Sequence, residues 1–262
     1  MTIASTVRQP SELNPNVSGE LFEGHPNATL WIGRVAGMGT VEIPELYSAV
    51  GALRSKVYID EMGFLDENRA DSFGREYDNF DSRSIHLAVV QKMKRGDGAR
   101  VTGAVRMIVK ENADQVLPIE PEFTSLFTAN PAEVPSVEVS RFISRNDDQM
   151  LQHAIGIALI RGMTYEVADR HIDTAYFEVE RPLLGILKGI GLPLEELSKK
   201  PKEVVEPGGI RKLYPLKIKP SRIIDHVTTD ENKRFVLRDF FKREAGNGGL
   251  GYYDDTLTGG VL

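Results

Sequence analysis

Charged residues stand in this chain where a strand or helix should be bland, and their types limit the chemistry open to it. Arg54 lies in a helical stretch, four residues before Tyr58 and ten before Phe64. The string "EYDNFD" places Glu76, Asp78 and Asp81 just ahead of the apolar run "IHLAVV". Arg106 interrupts "VTGAVRMIV", and Glu138 and Arg141 sit three apart in "VEVSRFI". Strand positions three apart face opposite sides, so that pair needs either two polar surroundings or a bulge. Buried charge is expensive unless paired. Ion pairs locking a helix to a sheet would use the same residues, but so many charges punctuating apolar strands point to a polar cleft at the sheet.

Other chemistries are closed. The chain has no cysteine, which removes disulfides, thiol nucleophiles and thiolate metal sites together. Its five histidines form no His-x-x-x-His pair, so no metal site is expected. Ser140 has no G-x-S-x-G elbow around it and no histidine near it in sequence, which leaves covalent serine catalysis little support.

The apolar fraction of 41% and charged fraction of 27% over 262 residues are those of a soluble globular protein with a sizeable core. No run approaches the roughly 18 apolar residues of a membrane span, and the opening residues lack the basic-then-apolar layout of a signal peptide, so a cytoplasmic protein without stable membrane insertion is expected. The net charge of −6 hides an asymmetry: residues 199 to 222 carry eight Lys/Arg against two Glu, or +6, leaving −12 for the rest. A basic patch on an acidic protein argues against general nucleic-acid affinity and for a local anionic partner, with a solvated basic face as the alternative.

The elements that must position these residues emerge from periodicity. Residues 1–27 are polar and aperiodic and read as a flexible arm; 28–222 form the main domain; 223–262 read as a terminal helix and floppy tail. "ATLWIGRVAG" reads as a strand. Pro44 suits a first helical turn, and apolar residues recurring from Leu46 to Met62 give an amphipathic helix over 44–62 closed by Gly63. "IHLAVVQKM" and "ARVTGAVRMIVK" form a hairpin around "KRGDG". Then come the strand "SVEVSRFIS", a helix over 147–170, the strand "IDTAYFEVE", the helix "RPLLGILKGIG" and the strand "RKLYPLKI". This order is α+β, around one mixed sheet.

In order and spacing, "LRSKVYIDEMGF … EYDNFD … HLAVV … VTGAVRMI … VEVSRFI" resembles the acyl-homoserine-lactone synthases, relatives of the GNAT acyltransferases, over about residues 45 to 190. The resemblance implies a GNAT-like fold: a central mixed, mostly antiparallel sheet flanked by helices, with splayed strands forming an acyl cleft. It places Arg54, Asp78, Asp81, Arg106, Glu138 and Arg141 at the family's charged positions. Tyr58 stands where the family usually has Phe, and Phe64 where it has Trp, on the side of the cleft associated with S-adenosylmethionine.

What it implies chemically is transfer of an acyl chain from a thioester to an amine, with no permanently bound cofactor. Acyl-acyl carrier protein and S-adenosylmethionine are then the substrates. Such transfer needs a deprotonated amine, an oxyanion binder and a tunnel for the tail. Glu138 is the candidate base, its proton affinity raised by burial beside Val137 and Val139. The backbone amides of Arg141 to Ile143, Phe142 among them, are the candidate oxyanion donors. Phe142, Ile155, Leu159, Phe177 and Leu184 are candidates for contact with the tail. Arg54, Tyr58, Phe64, Asp78, Asp81 and Arg106 would line the acceptor side. Asp78 and Asp81 are expected to brace the arginines rather than act as bases.

Where related enzymes cradle a pyrophosphate, this chain has "SRNDDQMLQHAIG", with two aspartates and no glycine at the turn, which argues for a carrier-borne pantetheine over coenzyme A. Acyl carrier proteins are acidic, so Lys199, Lys200, Lys202, Arg211, Lys212, Lys217 and Lys219 are the expected dock. Two other readings compete: an N-acyl amino acid or ornithine-lipid type synthase using a free amino acid, and a non-catalytic binding module on the same scaffold.

Overall fold

The computed structural model describes residues 17–20, 28–93, 99–189, 192–207 and 209–222. The strands are β1 (Val17–Glu20), β2 (Ala28–Gly37), β3 (Thr40–Val41), β4 (Ser84–Met93), β5 (Ala99–Lys110), β6 (Ser136–Ser144), β7 (Thr174–Val179), β8 (Glu195–Glu196), β9 (Lys202–Glu206) and β10 (Gly209–Ile218). Their order across one sheet is β1-β2-β4-β5-β6-β7-β10-β8, with β3 on β2 and β9 on β10. Every pairing is antiparallel except β6 with β7. The expected mixed, mostly antiparallel sheet is thus present. Val17–Glu20 pair with β2 as a strand inside the stretch expected to be a loose arm. The rest of 1–27, the turn 94–98 and the terminal helix and tail expected over 223–262 lie outside the described residues.

Helix α1 (Pro44–Ser55) and helix α4 (Gln149–Asp169) cover opposite faces of the sheet; α2 (Ile119–Glu122) and α3 (Thr124–Phe127) are single turns, and α5 (Arg181–Gly189) comes after β7. Strand alternation sorts the core. Ile85, Leu87, Val89, Val105 and Met107 meet Leu151, Ile155 and Leu159 of α4, while Ala88, Val90 and Ala104 meet Leu46 and Val50 of α1. Helix α4 is the crossover that a parallel β6–β7 pair requires.

Two irregularities interrupt these elements. The helix expected over 44–62 is α-helical only to Ser55 and widens into a π-helix over Lys56–Glu61, with the Met62 amide reaching back to Val57 O. Apolar spacing alone does not distinguish the two winds. On β6, Ala104 faces Ile143 but Arg106 faces Ser140, so one extra residue bulges there, and Arg141 takes a left-handed φ of 54°.

Close approach of α4 to the sheet depends on Gly103. A Cβ there would lie 2.4 Å from Ile155 Cγ2, 3.2 Å from Val89 Cβ and 3.3 Å from the backbone oxygen of Ile143. Gly103→Ala is expected to destabilise the protein by about 1–3 kcal/mol through overpacking; an unchanged midpoint of thermal unfolding would contradict this.

Candidate active site

The acidic stretch before β4 folds back over the face carrying α1. Arg54, in the last turn of α1 and only 1% exposed, donates through Nε to Glu76 and through Nη1 to Asp81 Oδ1 at 2.7 Å. His86, Arg106 and Ser140 are cross-strand neighbours on β4, β5 and β6, so they share that face. Arg106 donates to Asp78 Oδ1 at 2.6 Å, to Asp81 Oδ1 at 3.3 Å and through Nε to Ser140 Oγ at 3.0 Å. Arg141 Nη2 donates to Glu76 Oε1 at 3.0 Å and lies 3.6 Å from Asp78 Oδ2. Three arginines and three carboxylates thereby close a neutral network. The structure brings together Arg54, Asp78, Asp81, Arg106 and Arg141, and adds Glu76, whose place in the E-x-D-x-x-D string was its only signal.

The network fixes charge states. Burial would push Asp81 up, but Arg54 and Arg106 outweigh it and hold its carboxyl down to about 2. Glu76 is likewise held below the usual carboxylate range, by Arg54 and Arg141 against the effect of its burial. His86 Nε2 sits 3.3 Å from Asp81 Oδ1, yet burial pushes the imidazole down to about 4, so it stays neutral near pH 7.

Glu138 is the opposite case. It is 5% exposed, and burial pushes it up to about 8, against the hydrogen bond that Ile119 N–H donates to its Oε2 at 2.7 Å. It lies on β6 in register with Tyr176 of β7. Pairing of β6 with β7 stops one step later, at Val139 with Phe177, and beyond that the two strands have no ladder contact.

A cavity of about 720 Å³ occupies this opening. On the α1 face it is polar, lined by Asp78, Arg106, Glu138, Ser140, Glu178 and Arg211 together with Tyr58 and Phe64. On the other face it is apolar: Ile160, Met163 and Val167 project from one stripe of α4 beside Phe177, Leu183 and Leu187. The bulge resolves the spacing of Glu138 and Arg141, since both line this cavity. Of the residues expected along an acyl tail, Phe142 and Phe177 line it, whereas Ile155 and Leu159 belong to the core between α4 and the sheet and Leu184 to a core beside α5. On a helix those positions differ from Ile160, Met163 and Leu183 only by rotation, which composition does not reveal.

The π-helix places the two aromatics. The amide of Phe64 bonds back to Tyr58 O, setting the rings 6.5 Å apart. Tyr58 donates its hydroxyl to Phe142 O at 3.2 Å, and Arg141 lies over its ring at 5.2 Å. Arg211 stacks on Phe64 at 3.8 Å and bonds Glu180 at 2.9 Å.

The basic run is not a bare positive face. Lys202 pairs with Glu122, Arg211 with Glu180, Lys212 with Glu203, and Lys217 and Lys219 with Glu133. Lys199 and Lys200 remain exposed at the surface, and Arg211 faces the cavity. Partners from 122, 133 and 180 come from tertiary structure, so a linear charge count overstates the patch. At the start of α4, Asp148 accepts from the amides of Met150 and Leu151, placing a carboxylate where a phosphate would otherwise sit. Among the described residues no three His, Cys, Asp or Glu are placed to hold a metal, and no helix is long and apolar enough to cross a membrane.

Residues 53–151 match the family model of the acetyltransferase (GNAT) domain. The fold is similar to that of the AHL synthase LasI, at 16% identity and a TM-score of 0.53, covering 74% of this chain and 90% of that one. It is also similar to TofI in a ternary complex with an inhibitor and MTA (15%, 0.52, covering 73% and 91%) and to the CoA-dependent acyl-homoserine lactone synthase BjaI with MTA (17%, 0.54, covering 77% and 82%). No curated protein matches by sequence. The protein therefore has the GNAT-type acyltransferase fold, in the arrangement seen in these synthases.

Asp81→Asn leaves Arg54 buried without one of its two anions and is expected to cost about 3–5 kcal/mol of stability. Because the folded pKa of Asp81 lies below its ordinary value, its contribution is present above about pH 4 and lost as pH falls toward 2. Denaturant titrations of both proteins between those limits check this: their stabilities should converge as the acid protonates, and a gap that persists at the acid end would refute it.

Proposed function

We propose that this protein is an N-acyltransferase that moves an acyl chain from a carrier thioester to the amine of an amino-acid-derived acceptor. The observation that carries this is the two-faced cavity through the β6–β7 opening. It has room for a polar acceptor beside Glu138 and an apolar sleeve for a chain along α4. Glu138 takes the amine's proton, directly or through one water, and the free amine attacks the thioester carbon. Backbone amides of the bulge, Arg141 to Ile143, lie where the pairing with β7 has ended and supply the donors for the oxyanion. The arginine–carboxylate network holds the polar wall rigid while contributing no net charge.

For the donor, Asp148 at the α4 N-terminus favours a pantetheine on a carrier protein over free coenzyme A, because its carboxylate would repel a pyrophosphate. For the acceptor, the leading reading is S-adenosylmethionine with acyl-homoserine lactone as product, on the resemblance carried by the ordered motifs from Arg54 to Arg141. A free amino acid is the second reading, and one contact favours it. Arg211 already covers Phe64, so a sulfonium brought to that ring would meet a cation in its place. Quorum signalling belongs to the first reading alone.

Purified protein given an acyl-carrier thioester with either acceptor distinguishes them by product mass, and methylthioadenosine is released only from S-adenosylmethionine. If neither acceptor releases thiol, both readings fail. Glu138→Gln is expected to abolish turnover with the fold intact, and wild-type kcat/KM is expected to rise through about pH 8 as Glu138 ionises. The same shift has an opposite sign for stability: the folded pKa is raised, so its contribution is full below about pH 4.5 and declines toward 8. Glu138→Gln should flatten that decline, and undiminished turnover in this variant would remove Glu138 from the mechanism.

A further inference from the structure

The register of β6 on β5 passes from Ala104–Ile143 to Arg106–Ser140, so Arg141 and Phe142 share Val105 as the residue opposite. Pairing with β7 has already ended at Val139. What fixes the bulge comes from the α1 face. Arg141 is held through its side chain, by Glu76 and by the face of the Tyr58 ring, while its left-handed φ of 54° makes the bend. Phe142 is held through its backbone, because its carbonyl accepts the Tyr58 hydroxyl at 3.2 Å. Tyr58 is anchored in turn: its own carbonyl takes the amides of Phe64 at 2.8 Å and Leu65 at 3.1 Å, just past the π-helix. Burial pushes the Tyr58 hydroxyl up against the opposing effect of Arg141, so it stays protonated and able to donate near pH 7.

In extended backbone a residue's N–H and C=O point to the same edge of the strand, which is why paired residues exchange both bonds. Holding Phe142 O therefore also sets the direction of Phe142 N–H, and both Tyr58 and Phe142 line the cavity. We propose that Tyr58 is a positioning residue for acyl transfer: its hydroxyl holds the backbone of Phe142 so that the Phe142 amide meets the oxygen of the thioester carbonyl. This deepens the acyl-transfer reading and rests on it. As the amine nitrogen adds to the thioester carbon, the C–N bond forms, the carbonyl pair moves to oxygen, and the Phe142 amide donates to that oxyanion. On collapse the carbonyl re-forms and the C–S bond breaks with its electron pair left on sulfur. The proton that Glu138 takes from nitrogen passes to that sulfur as thiol. Tyr58 does not touch the reacting atoms and acts through Phe142.

The test is Tyr58→Phe in the full chain, which keeps the ring and removes the hydroxyl. Tyr77→Phe is the control, since Tyr77 also donates to a backbone carbonyl, that of Tyr47 at 3.0 Å, but is outside the cavity lining. With both substrates saturating, Tyr58→Phe should lower kcat roughly tenfold to a hundredfold, the cost of a misplaced oxyanion donor, with KM for either substrate little changed. The control should keep wild-type kcat. In isotope-edited infrared spectra of a bound acyl-pantetheine thioester labelled at its carbonyl carbon, the carbonyl band should lie below its solution frequency in wild type and control. It should return toward that frequency in Tyr58→Phe. A lowered melting temperature with kcat and band unmoved would make the bond merely structural, and a raised acceptor KM with unchanged kcat would make Tyr58 an acceptor contact; either overturns the proposal. If Tyr58→Phe does not fold, a ring-fluorinated tyrosine placed at position 58 keeps the bond but ionises at lower pH. The alkaline fall of kcat should then move to lower pH, and an unmoved limb overturns the proposal. If wild type transfers to neither acceptor, it is the acyl-transfer reading that fails, and the positioning role goes with it; an active wild type beside an undiminished Tyr58→Phe overturns the positioning role alone.

Discussion

Burying Arg54 is the constraint on which the rest of the site depends. A guanidinium almost wholly removed from water must be matched by anions held in place, and Glu76 and Asp81 meet it from a chain segment with almost no regular structure of its own. That demand explains why acids gather just ahead of β4. Once they are drawn in, Asp78 and Asp81 are at hand for Arg106, and Glu76 for Arg141. One helix residue thus ties α1, the connector, β5 and β6 into a single wall. The wall is charged in every member and neutral in sum.

The second constraint is geometric. A parallel pair whose ladder stops midway leaves an opening in the sheet, and the bulge at Arg141 turns β6 away just where that opening begins. In the acyl-transfer reading we propose, an acceptor and an acyl chain approach each other through the sheet from opposite faces. Glu138 lies one step short of the last paired level and is buried, and Asp81 lies within a cage of arginines. Two carboxylates on one protein are thereby driven apart in proton affinity by environment alone, one toward a base and the other toward a permanent anion.

Much of this was legible in the sequence. Alternating or continuous apolar runs marked β2, β4, β5, β6, β7 and β10, and the three-residue spacing of Glu138 and Arg141 called for either two polar surroundings or a bulge, of which the structure contains the bulge. The pairing of the arginines with Asp78 and Asp81 came from the cost of burying them. What escaped had physical reasons. A π-helix keeps the apolar spacing of the α-helix it extends, so Lys56–Glu61 did not announce itself. "KEVVE" is short and rich in charge, and it becomes β9 only because β10 lies beside it. Glu178 looks like an ordinary outward position in "TAYFEV" until β6 parts from β7 and leaves it facing a cavity. The basic run from Lys199 to Lys219 was counted without the glutamates that tertiary structure brings against it.

The central claim is that an acyl chain and an amine meet at Glu138 through the opening between β6 and β7. It is tested most directly by a crystal structure with a non-cleavable acyl-pantetheine thioether and the acceptor bound together. The expected result is an amine within about 2.6–3.2 Å of a Glu138 oxygen, or one water away, with the chain running along the stripe of Ile160, Met163 and Val167. A chain lodged elsewhere, or an amine held at Asp78 and Asp81 beyond the reach of Glu138, would contradict it.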